Sequence, residues 1–469
     1  MAARGSAVTN INTLLSKLDD PDPDIRFMQL NDFASILSTS NAPFQSEPHT
    51  VSRAVDGLVA AIHDSNGEVQ NQALKCVGPL ATKVPREGYA TYIRKVADLT
   101  SNKDVDPSIP LAALRIIAGS LPRPPSINND LDVKEAYNAV SQELVTRLIG
   151  RNLKSGAKLA GNAPGLLQQQ KNNSYNADAV DIVIELVRCY GTMLNENEIY
   201  ALGESLMYLI EAPAANGVVK KRALAGTAGI VPYYKPPQLN ALVENIARQL
   251  QSSSLAVIHR RYLVSAVGTL TKAIPTKIGP FLKVLAPQVL AILCQDELNA
   301  ARDDSDDDMD IDPEVEELRE ATLITLETML ASCQAEMQAH LDEAISAAAR
   351  YVKYDPNVIA GESDEEMGGT QDTGSDDGIT EDPPDEDDEY GDFDDEDTFD
   401  DVEDVSWKVR RCAAKVFYTV VSDVAATDHD RLFSKLTPIL LNRLNNERED
   451  SVRLEIIATL TALVRKAAS

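Results

Sequence analysis

At 469 residues with a formal charge of −29, the chain first reads as a strongly acidic protein, but the charge is not spread along it. Between Asp303 and Glu317 there are 10 acids, and between Glu362 and Asp404 there are 23, with no Lys or Arg in either run; without those 33 the remainder is at +4. The body is therefore nearly neutral, and its short basic clusters (Lys220-Lys221-Arg222, Arg260-Arg261, Arg410-Arg411) argue against nucleic acid as the main ligand, because counterion release needs many clustered cations.

One helical phrase recurs from the N-terminus on. It appears as PDPDIRFMQLNDFASIL around Arg26 and as SNGEVQNQALKCVGPLA around Gln70. SIPLAALRIIAGSL, NADAVDIVIELVRCYG, GVVKKRALAGTAGIV and IHRRYLVSAVGTL continue the series in weaker form. EELREATLITLETML, SWKVRRCAAKVFYTVV and EDSVRLEIIATLTALV complete it. Each copy starts polar or acidic, and its apolar residues then fall at helical spacing, as Leu323, Leu326, Met329 and Leu330 do. Anchors fall near Arg26, Gln70, Pro110, Asn176, Lys220, Arg260, Arg319, Arg410 and Arg453. Most steps are about 40 to 44 residues, the period of two-helix HEAT-type repeats. The three longer steps hold inserts: a Gly/Asn/Gln-rich stretch from Ser155 to Tyr175 and the two acidic runs.

A unit of one or two helices cannot bury its apolar face alone, so the copies must stack. The expectation is an all-α HEAT-repeat solenoid of about nine or ten helical pairs, in preference to an ordinary helical bundle. Repeats are expected over 1–302, 318–358 and 406–469, with a short acidic insert over 303–317 and a long acidic loop over 359–405. The face carrying Ala73, Leu74, Val77 and Leu80 should be buried. The acidic runs hold too little apolar surface to offset chain entropy and read as disordered. They serve either as solvated loops or as repellers and steerers of partners. Ser305, Ser363 and Ser375 each precede acids, a context that suits phosphorylation.

The five cysteines (Cys76, Cys189, Cys294, Cys333, Cys412) are far apart, form no CxxC and read as reduced core thiols. The N-terminus lacks the apolar core of a secretory signal, and no apolar run approaches a membrane span. No phosphate loop, GxSxG or HExxH is found, and the five histidines do not pair at metal spacing. Asp306, Asp308, Asp310 and Glu317 match four positions of a calcium loop, but Ile311 stands where the turn needs Gly; Asp392, Asp394 and Glu403 are a similar near miss. No catalytic, metal or cofactor-binding residue is assigned, and the chain reads as a binding scaffold.

SNGEVQNQALKCVGPLATKV, the phrase YVKYDPN at Tyr351 to Asn357, the long acidic run and then VSWKVRRCAAKVF resemble, in that order, the cullin-associated, neddylation-dissociated proteins. RFMQLND from Arg26 to Asp32 is similar to that family too. The resemblance implies a non-enzymatic regulator that wraps an unneddylated cullin and its RING subunit. Such proteins block neddylation and exchange substrate receptors on cullin–RING ubiquitin ligases, in cytoplasm and nucleus. Another HEAT scaffold, a transport receptor or an acidic chaperone of basic proteins, is the alternative. Asn66, Glu68, Gln70, Trp407, Lys408 and Arg411 are candidate partner-binding residues, while Arg26, Arg319, Arg410 and Arg453 read first as bridges between repeats. Family members are more than twice as long, so the chain is expected to correspond to the N-terminal part, either as a truncation or as a natural half. In the second case a separate C-terminal half meets the last helix at Leu460 and Leu463.

Overall fold

The computed structural model describes residues 11–39, 48–101, 106–125, 130–159, 163–171, 173–295, 312–354, 406–422 and 429–467. Among them there is no β-strand, only an isolated bridge between Arg151 and Lys158. After a short helix at residues 11–16 come α1 (Pro23–Thr39), α2 (Pro48–Ile62), α3 (Gly67–Ala81), α4 (Tyr89–Leu99), α5 (Ser108–Ser120) and α6 (Asp130–Ala139, prolonged by a π turn to Val145 and a last turn to Ile149). They are followed by α7 (Ala177–Tyr190), α8 (Glu196–Glu211), α9 (Gly217–Ile230), α10 (Pro236–Leu250), α11 (Val257–Ala273) and α12 (Leu282–Ile292). The last are α13 (Pro313–Ser332), α14 (Leu341–Tyr351), α15 (Ser406–Ser422), α16 (His429–Asn446) and α17 (Asp450–Ala467).

The odd-numbered helices form one unbroken row. α1 packs on α3, α3 on α5, and so on to α15 on α17, while the even-numbered helices lie behind them. Each of the nine sequence anchors sits at or near the start of one odd helix, so the repeat read from sequence is the repeat of the stack. The odd row is also the more closely packed row. Small residues permit that approach: a Cβ on Gly119 of α5 would collide with the Glu185 carboxylate of α7. Hydrogen bonds recur across the same row. Cys76 Sγ on α3 lies 3.4 Å from the Leu30 carbonyl of α1, Thr325 Oγ1 on α13 donates to Val264 of α11 at 3.1 Å, and Thr459 Oγ1 on α17 donates to Ala414 of α15 at 3.3 Å. Ala73, Val77 and Leu80 are buried as expected, and Leu74 is partly buried against the same core.

A second device fixes the turns. Arg26 on α1 grips both oxygens of Asp64, in the turn before α3, at 2.7 and 2.8 Å. Asp64 in turn accepts the Asn66 N–H at 2.8 Å. Burial pushes the Asp64 carboxyl up, but the bonds from Arg26 and Asn66 outweigh it and hold the carboxyl below its ordinary range. Arg410 on α15 repeats the arrangement with Glu447, in the turn before α17, at 2.8 and 3.1 Å. Glu447 also accepts Arg443 Nε at 2.7 Å and the backbone N–H of Arg448 and Glu449. Against the upward push of burial, these donors bring its carboxyl down to about 2. Arg319 uses a neutral partner instead. It donates to the Tyr354 hydroxyl at 2.7 Å, and Glu316, 2.6 Å from both, supplies the charge. Arg453 departs from the expectation: among the described residues its side chain reaches only Asp450 of its own helix.

The inserts meet the body in two different ways. The Gly/Asn/Gln-rich stretch is docked, with Leu166 and Leu167 buried. Their N–H groups bond the Arg147 and Leu148 carbonyls at 3.1 Å, and Gln168 Nε2 bonds Ile149 at 2.9 Å. These are carbonyls that a helix C-terminus leaves without intrahelical partners. The short acidic insert ends earlier than its composition suggests. Asp312 caps α13, accepting the Glu314 N–H at 2.9 Å, so Glu314, Glu316 and Glu317 are helical, and Glu316 is buried. The long acidic loop, the phosphorylation candidates Ser305, Ser363 and Ser375, and most of both calcium-like spacings lie outside the described residues. Its two flanks, however, meet at one side chain: Arg410 donates to the Tyr354 carbonyl at 3.4 Å and to Ser406 Oγ at 2.6 Å.

The Arg410–Glu447 clasp gives a signed expectation. A carboxyl held near 2 in the folded state, against about 4.3 when unfolded, contributes on the order of 3 kcal/mol above pH 4.3, lost as pH falls toward 2. Arg410→Ala should cost about 2 kcal/mol at pH 7, because it removes two charge-assisted hydrogen bonds from a buried carboxylate that keeps Arg443 and two backbone N–H groups. Urea melts of wild type and Glu447→Gln should therefore differ at pH 7 and converge toward pH 2; a pH-independent difference would contradict the assignment. Because both flanks of the long insert are pinned at Arg410, replacing residues 361–403 by a short Gly/Ser linker should leave the melting temperature nearly unchanged.

Candidate partner-binding surfaces

Asn66, Glu68 and Gln70 lie at the start of α3. Asn66 is its N-cap, accepting the Glu68 and Val69 N–H groups at 2.9 and 3.2 Å. Gln70 Nε2 donates to the Asp64 carbonyl at 2.7 Å. Both polar groups are thus engaged in holding the turn, and Glu68 alone of the three is exposed. Trp407, Lys408 and Arg411 lie far away, on α15, and the structure does not bring the two groups together.

Trp407 is half-buried and packs against the core. The Lys408 ammonium and the Arg411 guanidinium stand 5.9 and 6.0 Å from its ring centroid, at the outer limit of a cation–π contact. Lys415 and Tyr418 extend the same exposed stripe at helical spacing, with Tyr418 40 % exposed. The repeat alignment hid these two because it reads the buried face of the phrase. Across from the stripe, on α13, burial pushes the Glu320 carboxyl up while Lys408, Arg411 and Arg261 pull it down, leaving it above its ordinary range. Arg261 pairs with Glu317. The face from α11 to α15 is therefore a mosaic of both charges with exposed apolar residues, among them Ile258, Ile324 and Tyr418.

Leu460 and Leu463 part ways. Counting from the anchors Arg26, Arg260, Arg319 and Arg410, the residues four, seven and eleven places on are Leu30, Phe33 and Leu37; Val264, Val267 and Thr271; Leu323, Leu326 and Leu330; and Ala414, Phe417 and Val421. All are at most 1 % exposed. From Arg453 the same positions are Ile457, Leu460 and Val464: the first is 46 % exposed, the last 57 %, and Leu460 is half-buried. Leu463, by contrast, is 1 % exposed inside the stack, where Val420 sits one repeat earlier. Of the two residues expected to meet a C-terminal half, Leu463 therefore lies in the core, and the outer face of α17 instead carries Ile457, Leu460 and Val464, because one step along a helix turns a side chain about 100°. The first odd helix ends differently, exposing Asp32 and Ser35 alongside Met28.

Four of the five thiols are buried, and burial pushes Cys76 and Cys412 up to about 12 and Cys333 to about 11, so they are inert core residues. Among the described residues no group of three or more His, Cys, Asp or Glu could hold a metal ion, and no helix is long and apolar enough to cross a membrane. The burial contrast on α17 can be measured. Ile457→Lys and Val464→Lys should each change the stability of the isolated chain by no more than about 0.5 kcal/mol, whereas Leu463→Lys should cost several kcal/mol. Denaturant melts that rank the three variants otherwise would refute the register.

Residues 89–301 match the family model described as the N-terminal part of cullin-associated NEDD8-dissociated protein 1. The chain is 39 % identical over 303 residues to the N-terminal part of that protein from Emericella nidulans, which covers 64 % of this chain and 89 % of the relative. It is also 49 % identical over 173 residues to the separate C-terminal part from the same organism, covering 36 % of this chain and 16 % of that polypeptide. Against the Drosophila melanogaster protein it is 25 % identical over 97 % of its own length but only 31 % of the relative's, so the chain spans about a third of that full-length protein. Among solved structures, Kap121p bound to Pho4p superposes with a TM-score of 0.54 at 9 % identity over 97 % of this chain and 37 % of that one, which shows a shared HEAT-repeat fold. With an α-solenoid on the page and a relative of such identity covered almost end to end, the chain belongs to the cullin-associated NEDD8-dissociated protein family.

Proposed function

We propose that the chain is a non-enzymatic regulator of cullin–RING ubiquitin ligases. It binds the unneddylated cullin C-terminal region and the RING subunit, and blocks neddylation by covering them. Together with C-terminal repeats, which Emericella carries on a separate polypeptide, it promotes exchange of substrate receptors. The observation that carries the reading is family membership, since the relatives bear cullin association in their names. The fold is compatible with it: a row of helices offers a long face of mixed charge and exposed apolar residues, which suits wrapping a protein rather than enclosing a small substrate. The stripe Lys408, Arg411, Lys415 and Tyr418 is the part of that face we assign to partner contact, and the protein acts in cytoplasm and nucleus.

Immobilised cullin–RING pairs, with and without the ubiquitin-like modifier, test the reading. The unmodified pair should retain the chain, and the modified pair should retain it at least about tenfold less, the equivalent of about 1.4 kcal/mol. Equal retention would remove the mechanism. The double variant Lys415→Glu, Tyr418→Ser should weaken capture by the unmodified pair while changing the melting temperature little, because both side chains are exposed.

A further inference from the structure

One copy of the turn clasp has the cation without the carboxylate. Asp64 stands six places before the anchor Gln70, and Glu447 six places before the anchor Arg453. Each takes the Arg of the preceding anchor. Six places before the anchor Arg260 stands Ser254, in the turn before α11, and the preceding anchor is Lys220 on α9. Lys220 is only 2 % exposed. Its ammonium lies 4.9 Å from the Tyr262 ring centroid, and among the described residues no carboxylate accepts it. Burial and the neighbouring Arg261 push that ammonium below its ordinary range. Two acids of the surroundings are engaged elsewhere: Glu317 pairs with Arg261, and Glu211 Oε1 accepts Asn245 and Gln249 at 3.1 and 2.8 Å.

The start of α11 is short of acceptors as well. The neighbouring odd helices α7, α9 and α13 are capped by the side chains of Asn176, Asn216 and Asp312, but Ala256 stands at the cap of α11 and offers none. Its first N–H groups therefore lack a side-chain partner, at the end of the helix that favours negative charge. In the same turn His259 Nε2 is buried without a hydrogen-bond partner. Arg260 adds a further cation, donating to the Ser252 carbonyl at 3.2 Å. Ser254 itself is exposed, with its hydroxyl 3.0 Å from that of Ser252.

We propose that Ser254 is a phosphorylation site, and that a phosphate on its Oγ completes the clasp with Lys220 and caps the start of α11. A protein kinase transfers the γ-phosphoryl group of ATP: the Oγ–P bond forms as the bond to ADP breaks, and the hydroxyl proton passes to the kinase's base. The terminal oxygens of phosphoserine lie as many bonds from Cα as the carboxylate oxygens of Glu447, so the modified side chain has the reach of a clasp the chain already uses. A dianion placed at a helix N-terminus beside a buried cation gains charge-assisted hydrogen bonds that a neutral hydroxyl cannot make. The modification thus ties α9 to the turn before α11, as Arg26 ties α1 to the turn before α3.

The full chain with phosphoserine installed at position 254 by genetic-code expansion tests the contact by phosphorus NMR. The second ionisation of the phosphate should fall about one pH unit below its ordinary value near 6, and Lys220→Met should bring it back toward 6. An unshifted value in the native background, or the same shift in the Lys220→Met chain, would overturn the proposal. If Lys220→Met does not fold, Ser254→Glu in the otherwise native chain reads the same contact. Amide exchange in the first turn of α11 should slow about tenfold, and unchanged exchange would overturn the assignment. Mass spectrometry of the chain taken from its own cells, growing and stressed, should find phosphate on Ser254; its absence under both conditions would also overturn it.

Discussion

Each odd helix carries residues four, seven and eleven places beyond its anchor, apolar except for Thr227 and Thr271, that its own repeat cannot cover. The next odd helix covers them, and that dependence builds the rest of the structure. It makes the row continuous through all three inserts, as α13, α15 and α17 show by stacking in register on either side of the long acidic segment. It also explains the small and hydroxylic residues inside the recurrent phrase. Gly268 gives the neighbour room, and Thr325 and Thr459 tie its hydroxyl to the facing carbonyl of the preceding helix. Burying a backbone carbonyl that already has its helical bond costs little, so these contacts mainly fix register while apolar burial supplies the stability.

The clasp between an anchor Arg and the following turn adds direction. A bidentate guanidinium on Asp64 or Glu447 holds the turn at a set distance from the helix before it, and the carboxylate spends its remaining lone pairs on backbone N–H groups of the turn. Buried ion pairs of this kind contribute little net stability relative to an apolar replacement, but are costly to break. Their place in the molecule suits that balance: they stand where a slipped turn would put the next helix out of register. At Tyr354 the carboxylate is moved to Glu316 and relayed through a phenol, and this variation falls beside the longest insert.

A surface assembled this way is long and shallow. Its odd-row face gathers side chains from many repeats, each contributing one or two exposed residues, and neighbouring repeats often neutralise one another, as Glu320 does Lys408 and Arg411. Recognition on such a face depends on summed shape and charge over several helices. This is a reason for a binding role to be read from the family while individual contact residues stay hidden in any one repeat.

The sequence by itself determined the helical class, the period and the nine anchors, because the burial demand of a stack writes the same apolar spacing into every copy. It also located the acidic runs, since charge is countable. The tertiary structure decided what spacing could not. Asn66 and Gln70 look like free polar groups in the chain, yet they are spent on capping and on Asp64, because hydrogen-bond partners come from the fold. Leu463 and Val464 are adjacent and both apolar, yet one is core and the other is open end, because the identity of the neighbour on each face is settled only when helices pack. The boundary at Pro313 was masked by composition: Glu314, Glu316 and Glu317 count as part of an acidic run, but a capped helix places them in its first turns, where the helix dipole favours carboxylates and where Glu316 meets Arg319.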